Sequence, residues 1–470
     1  MSSKAPSFWE WILLVFLLLI PFTSFFYGDT QSILLYEVDF MGSIIKGGGL
    51  QHYYDYVNMM TEHAGTLPNA GGNLATYDFP LFLILGVWGI PLWFFMGSRN
   101  LEVNGRFLSK IYGKSIFLFA LIICTYIVYL LCREIKLSED KAKWGAFIFT
   151  SSILVFIAVG IAGQTDIIGM IFILLGLRAY IRHENSHFLL FFMIAVPFKQ
   201  FALFIFVPLL LLKEKKIWKI LLSTAFVMIL KVGSNAFFGI TSVSDAMQVK
   251  KSFELDMFNR LTANCLPLVN QNVPVVVVLL VAICLFCYFH KGFMSEEDFY
   301  RYSIYIPMIT MIALFISFES SVYWYVHMAP YVAIMLVMNS SKIRQTMLIE
   351  TAAYACLILG TFASRPWAYE IYFCHGMLLE RILGNYNNVA TPLMLADFCA
   401  DTKITQYCGT LYAIYVTLII YFAWINRPSQ VSENDNAPIR ACSCLRLLVN
   451  VIVSYVPLGV FAYNLICRQG

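Results

Sequence analysis

The chain has 470 residues, of which 60% are hydrophobic, 16% aromatic and only 13% charged, with a formal net charge of +4. Apolar runs of spanning length recur from end to end, so the composition is that of an all-α polytopic membrane protein, a transmembrane helical bundle. A charge this small and dispersed gives no basis for a nucleic-acid partner; the surroundings are membrane lipids, and the information lies in where the charges fall.

In chain order, MSSKAPSFWEWILLVFLLLIPFTSFFYG carries one lysine, a long apolar core and no small-residue cleavage site. It reads as an uncleaved anchor with a cytoplasmic N-terminus. The stretch from Tyr27 to Pro80 then places Asp29, Glu37, Asp39, Asp55, Glu62 and Asp78 in one polar loop. Carboxylates gathered at the mouth of a membrane domain are costly unless they have a task. The next segment, PLFLILGVWGIPLWFF, is about sixteen residues, short for a crossing, and Gly86, Gly89 and Pro91 interrupt it. The reading adopted is a re-entrant or interfacial segment over 80–96.

On that reading the crossing over 107–132 ends in Arg133, Lys136, Lys141 and Lys143 on the cytoplasmic side. The remaining basic connectors then also fall inside: Arg178 and Arg182; Lys213, Lys215, Lys216 and Lys219; Lys291 and Arg301; Lys342 and Arg344; Arg427, Arg440 and Arg446. A spanning 80–96 would invert the whole series. Further spans are expected over 144–162, 166–182, 187–198, 200–212, 217–238, 273–290, 303–318, 322–338, 346–363, 408–425 and 446–466, about thirteen in all. Pro197, Lys199 and Gln200 divide 187–212, which is either two spans or one long kinked helix. Loops 28–106, 239–272 and 364–407 face the outer side, and PSQVSENDNAPIR reads as a cytoplasmic linker. Most of the twelve cysteines sit in apolar runs as small buried hydrophobes. Cys399 and Cys408 share a loop and form a disulfide only if it faces an oxidising compartment.

Four constellations fall on the outer side. Glu37-Val38-Asp39 is followed by Lys46-Gly-Gly-Gly and His52-Tyr-Tyr-Asp-Tyr. Paired carboxylates can remove a proton and orient a donor or metal, and glycines admit a bulky ligand, although an acidic surface loop has the same composition. Gly163-Gln164-Thr165-Asp166 places an amide and a carboxylate where two helices meet, to hold sugar hydroxyls or to cap the helix starting near Ile167. In Pro197-Phe198-Lys199-Gln200 the lysine either snorkels to an interface or neutralises a lipid phosphate. The last, Glu319 to Tyr331, holds Tyr323, Trp324 and Tyr325, the residue types of an interfacial belt, and His327. An ionisable ring about two turns into a span marks a site or pathway, or a satisfied structural histidine.

The order of these elements resembles a family. An E-x-D pair after the first helix, a G-x-x-x-Y element, an aromatic-x-x-P-L segment from Tyr77 to Leu81, G-Q-x-D, K-Q and a late H-x-x-P are similar to the multispanning GT-C glycosyltransferases. Within these the similarity is to polyprenyl-phosphate-mannose-dependent mannosyltransferases, including bacterial glycolipid enzymes and the catalytic subunit of the first GPI mannosyltransferase. It covers residues 1–340, a catalytic module with active-site loop 28–106, and leaves 341–470 as further transmembrane helices with outer loop 364–407. Glu37 stands where the family often has aspartate, and Asp78-Phe79 where it often has a second proline or a threonine.

The resemblance implies inverting transfer of mannose or another hexose from a polyprenyl phosphate to a hydroxyl of a lipid-linked or cell-surface glycan. It places the site on the extracytoplasmic face of a bacterial plasma membrane, or in the ER of a eukaryote. It makes Asp39 the general base and lets Glu37 orient it or bind a divalent cation, if one is used. Lys199, Arg260 and the Lys250-Lys251 pair would offset the leaving phosphate, with His327 beside it or relaying a proton. Gln164 and Asp166 would hold hydroxyls, with Gln200, His52, Tyr54, Asp78 and Tyr325 as further substrate contacts. Two rival expectations share these ligands: a transporter or flippase of lipid-linked glycans, with paired broken helices in two similar halves, and a polysaccharide polymerase or ligase.

Overall fold

The computed structural model describes residues 4–26, 28–63, 75–96, 107–268, 270–318, 320–364, 377–378 and 399–468. The described chain is helical apart from its connections and one antiparallel hairpin, β1 (Cys265–Leu268) with β2 (Gln271–Pro274). Six helices are long and apolar enough to cross a membrane, or up to eight spans if each of two bent helix pairs counts as one, and five shorter apolar helices accompany them. The apolar runs of the sequence are therefore not equivalent, and their difference in length shapes the site.

Helix α1 (Phe8–Ser24) starts with a capping box in which Ser7 and Glu10 satisfy one another's backbone N–H groups. Helix α2 (Gly28–Ile45) leaves α1 at 83° and so lies across the end of the bundle. It is followed by α3 (Tyr53–His63), α4 (Phe79–Met96) and α5 (Phe107–Glu134). Much of the expected loop 28–106 is thus helical. Ile33, Leu34, Tyr36, Val38 and Phe40 of α2 are all buried, and this apolar content outweighs the scattered carboxylates that suggested a loop. The expected outer loop 239–272 likewise holds a helix and the hairpin.

The glycines of α4 do not interrupt it. A Cβ on Gly86 would sit 2.0 Å from the Phe40 ring, and one on Gly89 would meet the Glu37 backbone at 2.5 Å. They are the points where α2 and α4 touch, a close approach that only a missing side chain permits. Trp88, in the middle of α4, exchanges hydrogen bonds with Tyr112 near the start of α5. Helix α4 is among the shorter apolar helices, below the length of the six that could cross a membrane by themselves.

The remaining helices are α6 (Glu139–Thr150), α7 (Asp166–Ile181), α8 (Asn185–Phe198), α9 (Phe201–Lys213), α10 (Ile217–Thr241), α11 (Ala246–Thr262), α12 (Val275–Phe289), α13 (Glu296–Ser317), α14 (Ala329–Met338), α15 (Ile343–Ser364), α16 (Cys408–Ile425) and α17 (Ile439–Arg468). Contacts tie the basic connectors into one end: Arg178 to Glu134 at 2.8 Å, Lys213 to the Tyr180 carbonyl at 3.2 Å, and Lys215 to the Cys287 carbonyl at 2.7 Å. Lys141 pairs with Glu433 and Asp435, Arg440 with Glu10, and Ser341 with Ser432. Arg446 does not belong to this set. It is buried in α17, where it forms a bidentate pair with Glu350 of α15 and reaches Ser151, docking the last helix by a fully desolvated contact. Cys399 and Cys408 are both free thiols.

Helices α8 and α9 form a hairpin whose outer ends both lie at the basic end, rather than one kinked helix; Phe188 and Phe206 stack across it at 5.1 Å. At 1.5 Å per residue these two are about 20 Å long and α7 about 24 Å, against about 42 Å for α5 and a hydrocarbon core of about 30 Å. The start of α7, the α8–α9 tip and the start of α14 thus stop short of the level that α5 reaches. There they meet.

Candidate functional site

The site begins with Lys114, a fully buried lysine two turns into α5. Its ammonium donates to the carbonyls of Phe22 and Phe25, both at 2.8 Å, and of Gly160 at 3.2 Å. The first two belong to the C-terminal end of α1 and the third to a π-helical turn, Phe156–Ile161, which follows α6. Helix C-termini leave carbonyls without intrahelical partners, and a cation there meets both that need and the helix dipole. One ammonium thus fastens the end of α1 to the turn that leads into Gln164.

A second tie runs from the Thr30 hydroxyl to the Ala162 carbonyl at 2.8 Å. Gly163 has φ +58°, and a Cβ there would meet Thr30 Oγ1 at 3.1 Å and Lys114 Cε at 3.2 Å. Both the left-handed backbone and the close approach call for glycine. The consequence is that Gln164 Nε2 donates to Asp29 Oδ2 at 2.9 Å, and the Tyr323 hydroxyl donates to the same oxygen at 3.0 Å. Asp29 sits in the first turn of α2, where the N-terminal dipole favours a negative charge.

Asp166, fully buried at the start of α7, forms the second node. Its Oδ1 accepts from Lys199 Nζ at 3.2 Å and faces His327 Nε2 at 3.0 Å. Lys199 caps the end of α8 in extended conformation, which turns its side chain out of the helix toward Asp166. Its ammonium lies 5.1 Å from the Trp324 ring centre and 5.8 Å from that of Tyr77, partly exposed between them. One of its three N–H groups serves Asp166, so donors remain for a ligand. Lys199 and Asp166 are within electrostatic reach of Asp29, which joins the two nodes. Gln164 Oε1 and Asp166 Oδ2 are buried and accept no hydrogen bond among the described residues. Such acceptors cost about 1–3 kcal/mol each unless a donor-bearing ligand or water fills them.

Of the residues singled out in the sequence, then, Gln164, Asp166, Lys199 and His327 come together. Asp29, Tyr77, Tyr323 and Trp324, named in the sequence without a role at a site, join them, whereas the other expected site residues do not in the described contacts. Glu37 and Asp39 lie about 12 and 15 Å beyond Asp29 along α2; both are buried, and the Glu37 carboxylate makes no hydrogen bond among the described residues. His52 pairs with Asp55 at 3.6 Å. The hydroxyls of Tyr54 and Tyr325 donate to the backbone carbonyls of Tyr77 and Phe315, which are packing roles. Asp78 bridges Lys231 at 2.9 Å and Lys250 at 2.6 Å, with Glu254 completing the group, so Lys250 is neutralised within the protein. Arg260 is exposed and pairs with Asp256 one turn away on α11. Gln200 is exposed at the α8–α9 tip. Glu319 lies outside the described residues.

Sequence reasoning noticed Asp29 only as one of six carboxylates, and it passed over Lys114 and the specific role of Tyr323. Lys114 carried a signal: it is a lysine inside an otherwise apolar run, where an ionisable group is by default tied to a site. Asp29 is the first carboxylate after the first apolar run, but nothing local distinguishes it from the others. Among the described residues no group of three or more His, Cys, Asp or Glu converges as a metal site. No protein-family model matches the chain, and neither the curated proteins nor the solved structures yield a match.

Proposed function

We propose that this chain is an integral-membrane inverting glycosyltransferase of the GT-C kind, moving a hexose from a polyprenyl phosphate to a hydroxyl of a lipid-linked or cell-surface glycan. One observation carries the reading. A carboxylate, Asp29, and a partly exposed cation, Lys199, are held close together by Gln164, Asp166, His327 and Tyr323, at the end of the bundle opposite the basic connectors. Excess Lys and Arg mark the cytoplasmic side, so this end is extracytoplasmic: the outer face of a bacterial plasma membrane, or the lumen of the ER.

The acceptor hydroxyl attacks the anomeric carbon on the face opposite the phosphate. The carbon–oxygen bond to phosphate breaks, its electron pair leaves with the phosphate oxygen, and the hydroxyl proton passes to a carboxylate base. Asp29 is the base that the geometry favours; Asp39, about 15 Å farther along α2, is the alternative that the family resemblance named. Lys199 donates to the departing phosphate, and this contact strengthens as charge collects there. Asp166 and Gln164 offer their spare oxygens to sugar hydroxyls.

A transporter of lipid-linked glycans would bind the same ligands without breaking a bond. Incubating the purified protein with a panel of radiolabelled polyprenyl-phosphate sugars and glycolipid acceptors separates the two. Label appearing in an acceptor product supports transfer; binding of a donor with no product under any pairing favours transport.

A further inference from the structure

At the basic end, away from the site above, a cavity of about 760 Å3 opens between the end of α9, the end of α12 and the start of α13. Lys213, Lys215, Lys291, His183, His290 and Phe299 line it. A second cavity, of about 560 Å3, shares His183 and Lys213 and adds Lys219 and Trp218. Lys213 donates to the Tyr180 carbonyl at 3.2 Å and lies over the Tyr180 and Phe299 rings. Lys215 donates to the carbonyls of Leu211 at 2.6 Å and Cys287 at 2.7 Å. Neither forms an ion pair with a carboxylate among the described residues, whereas the nearby Lys219 pairs with Glu214. Among the described residues Glu296 is the one carboxylate of the first cavity's wall, where it accepts from Tyr300, and Glu214 lines the second. Three lysines against one glutamate leave the cavity with uncompensated positive charge. Partial shielding by aromatic walls makes that charge more effective toward an anion than it would be on an open surface.

Exposed apolar faces flank the cavity on two sides. Trp218 and Leu221 at the start of α10, and Leu285, Phe286 and Phe289 at the end of α12, are exposed large apolar side chains. They line faces that a bilayer would cover, running away from the cavity toward the membrane interior. A ligand with a phosphate at the lysines and hydrocarbon along these faces satisfies both features. A free phosphate would use only the first.

We propose that this cavity is a binding site for an anionic phospholipid of the leaflet at the basic end, with its phosphate held by Lys213, Lys215 and Lys291. The site is independent of the glycosyltransferase reading and depends only on the helices being membrane-embedded. Basic pockets between membrane helices on the cytoplasmic side suit such headgroups.

The test uses the full-length protein in detergent with short-chain phosphatidylglycerol, phosphatidylcholine and glycerol phosphate, read by native mass spectrometry. Phosphatidylglycerol should bind at least roughly tenfold more tightly than either of the others, since the lysines supply charge-assisted hydrogen bonds and the apolar faces the rest. Lys291→Gln, at an exposed position, and Lys213→Gln should each weaken it roughly tenfold and leave phosphatidylcholine unaffected. Equal binding of the two lipids, or wild-type affinity in both variants, would overturn the proposal. Glycerol phosphate binding as tightly as phosphatidylglycerol would also overturn it, because the cavity would then be a free-phosphate site.

Discussion

At the scale of single residues, the site rests on two oxygens of Asp166 doing different things. Oδ1 receives Lys199 and His327, while Oδ2 is left without a partner among the described residues, in a helix start where water is scarce. A lysine so placed is fixed by its carboxylate and needs little reorganisation when a phosphate arrives. Lys199→Gln should therefore slow single-turnover transfer by a few kcal/mol and weaken donor affinity less. Equal losses in both quantities would mean that the lysine only holds the ligand, and no loss in either would reduce it to a snorkelling side chain. Gln164, Asp166 and Lys199 were legible in the sequence because each is a polar group at a helix junction in a chain poor in charge, and His327 because it is an ionisable ring inside an expected span; the structure moves it to a 3-10 turn just before α14. Asp29 was not, because the Glu37-Val38-Asp39 pair drew attention to a part of α2 that faces other helices.

At the scale of elements, apolar patterning identified the helices but not how far each one reaches. Gly86 and Gly89 looked like breaks, since a sequence does not say whether a glycine ends a helix or receives a neighbour. The clasp between α3 and the start of α11 was equally hidden, as its partners are some 187–189 positions apart. In it Asp55 accepts from the Ser242 and Ser244 hydroxyls and from the backbone N–H groups of Val243 and Ser244. Burial raises the Asp55 carboxyl, but the Ser242, Ser244 and backbone donors outweigh it and hold it below its ordinary value. Burial likewise raises Glu254, and Lys231 with Lys250 pulls it down. A carboxyl with a depressed folded value stabilises fully above its unfolded pKa, about 4, and loses that contribution as pH falls through the folded value. Hydrogen exchange should show the Val243 and Ser244 amides protected at neutral pH and released in acid, below about pH 4. Asp55→Asn should flatten that response. Protection unchanged by acid would show that Asp55 does not hold the clasp.

At the scale of the whole molecule, the distribution of Lys and Arg was the most informative signal. It gathered the connectors at one end, apart from Arg446, whose desolvated pairing with Glu350 no local pattern announces. In a background without native cysteines, Val243→Cys should react with an impermeant thiol reagent added outside intact cells, and Met294→Cys only after permeabilisation. Both positions are exposed and lie at opposite ends, so the reverse pattern would put the site on the cytoplasmic face.

The central claim is that Asp29 accepts the proton in a sugar transfer. The measurement closest to it is the single-turnover transfer rate of Asp29→Asn beside that of Asp39→Asn, each with donor affinity checked separately. Asparagine keeps the shape and the contact with Tyr323 or Gln164 but cannot take up the proton. The account predicts that Asp29→Asn loses about two to four orders of magnitude in rate with donor binding retained, while Asp39→Asn stays within about tenfold of wild type. Near-normal turnover by Asp29→Asn, with the large loss falling on Asp39→Asn instead, would contradict it.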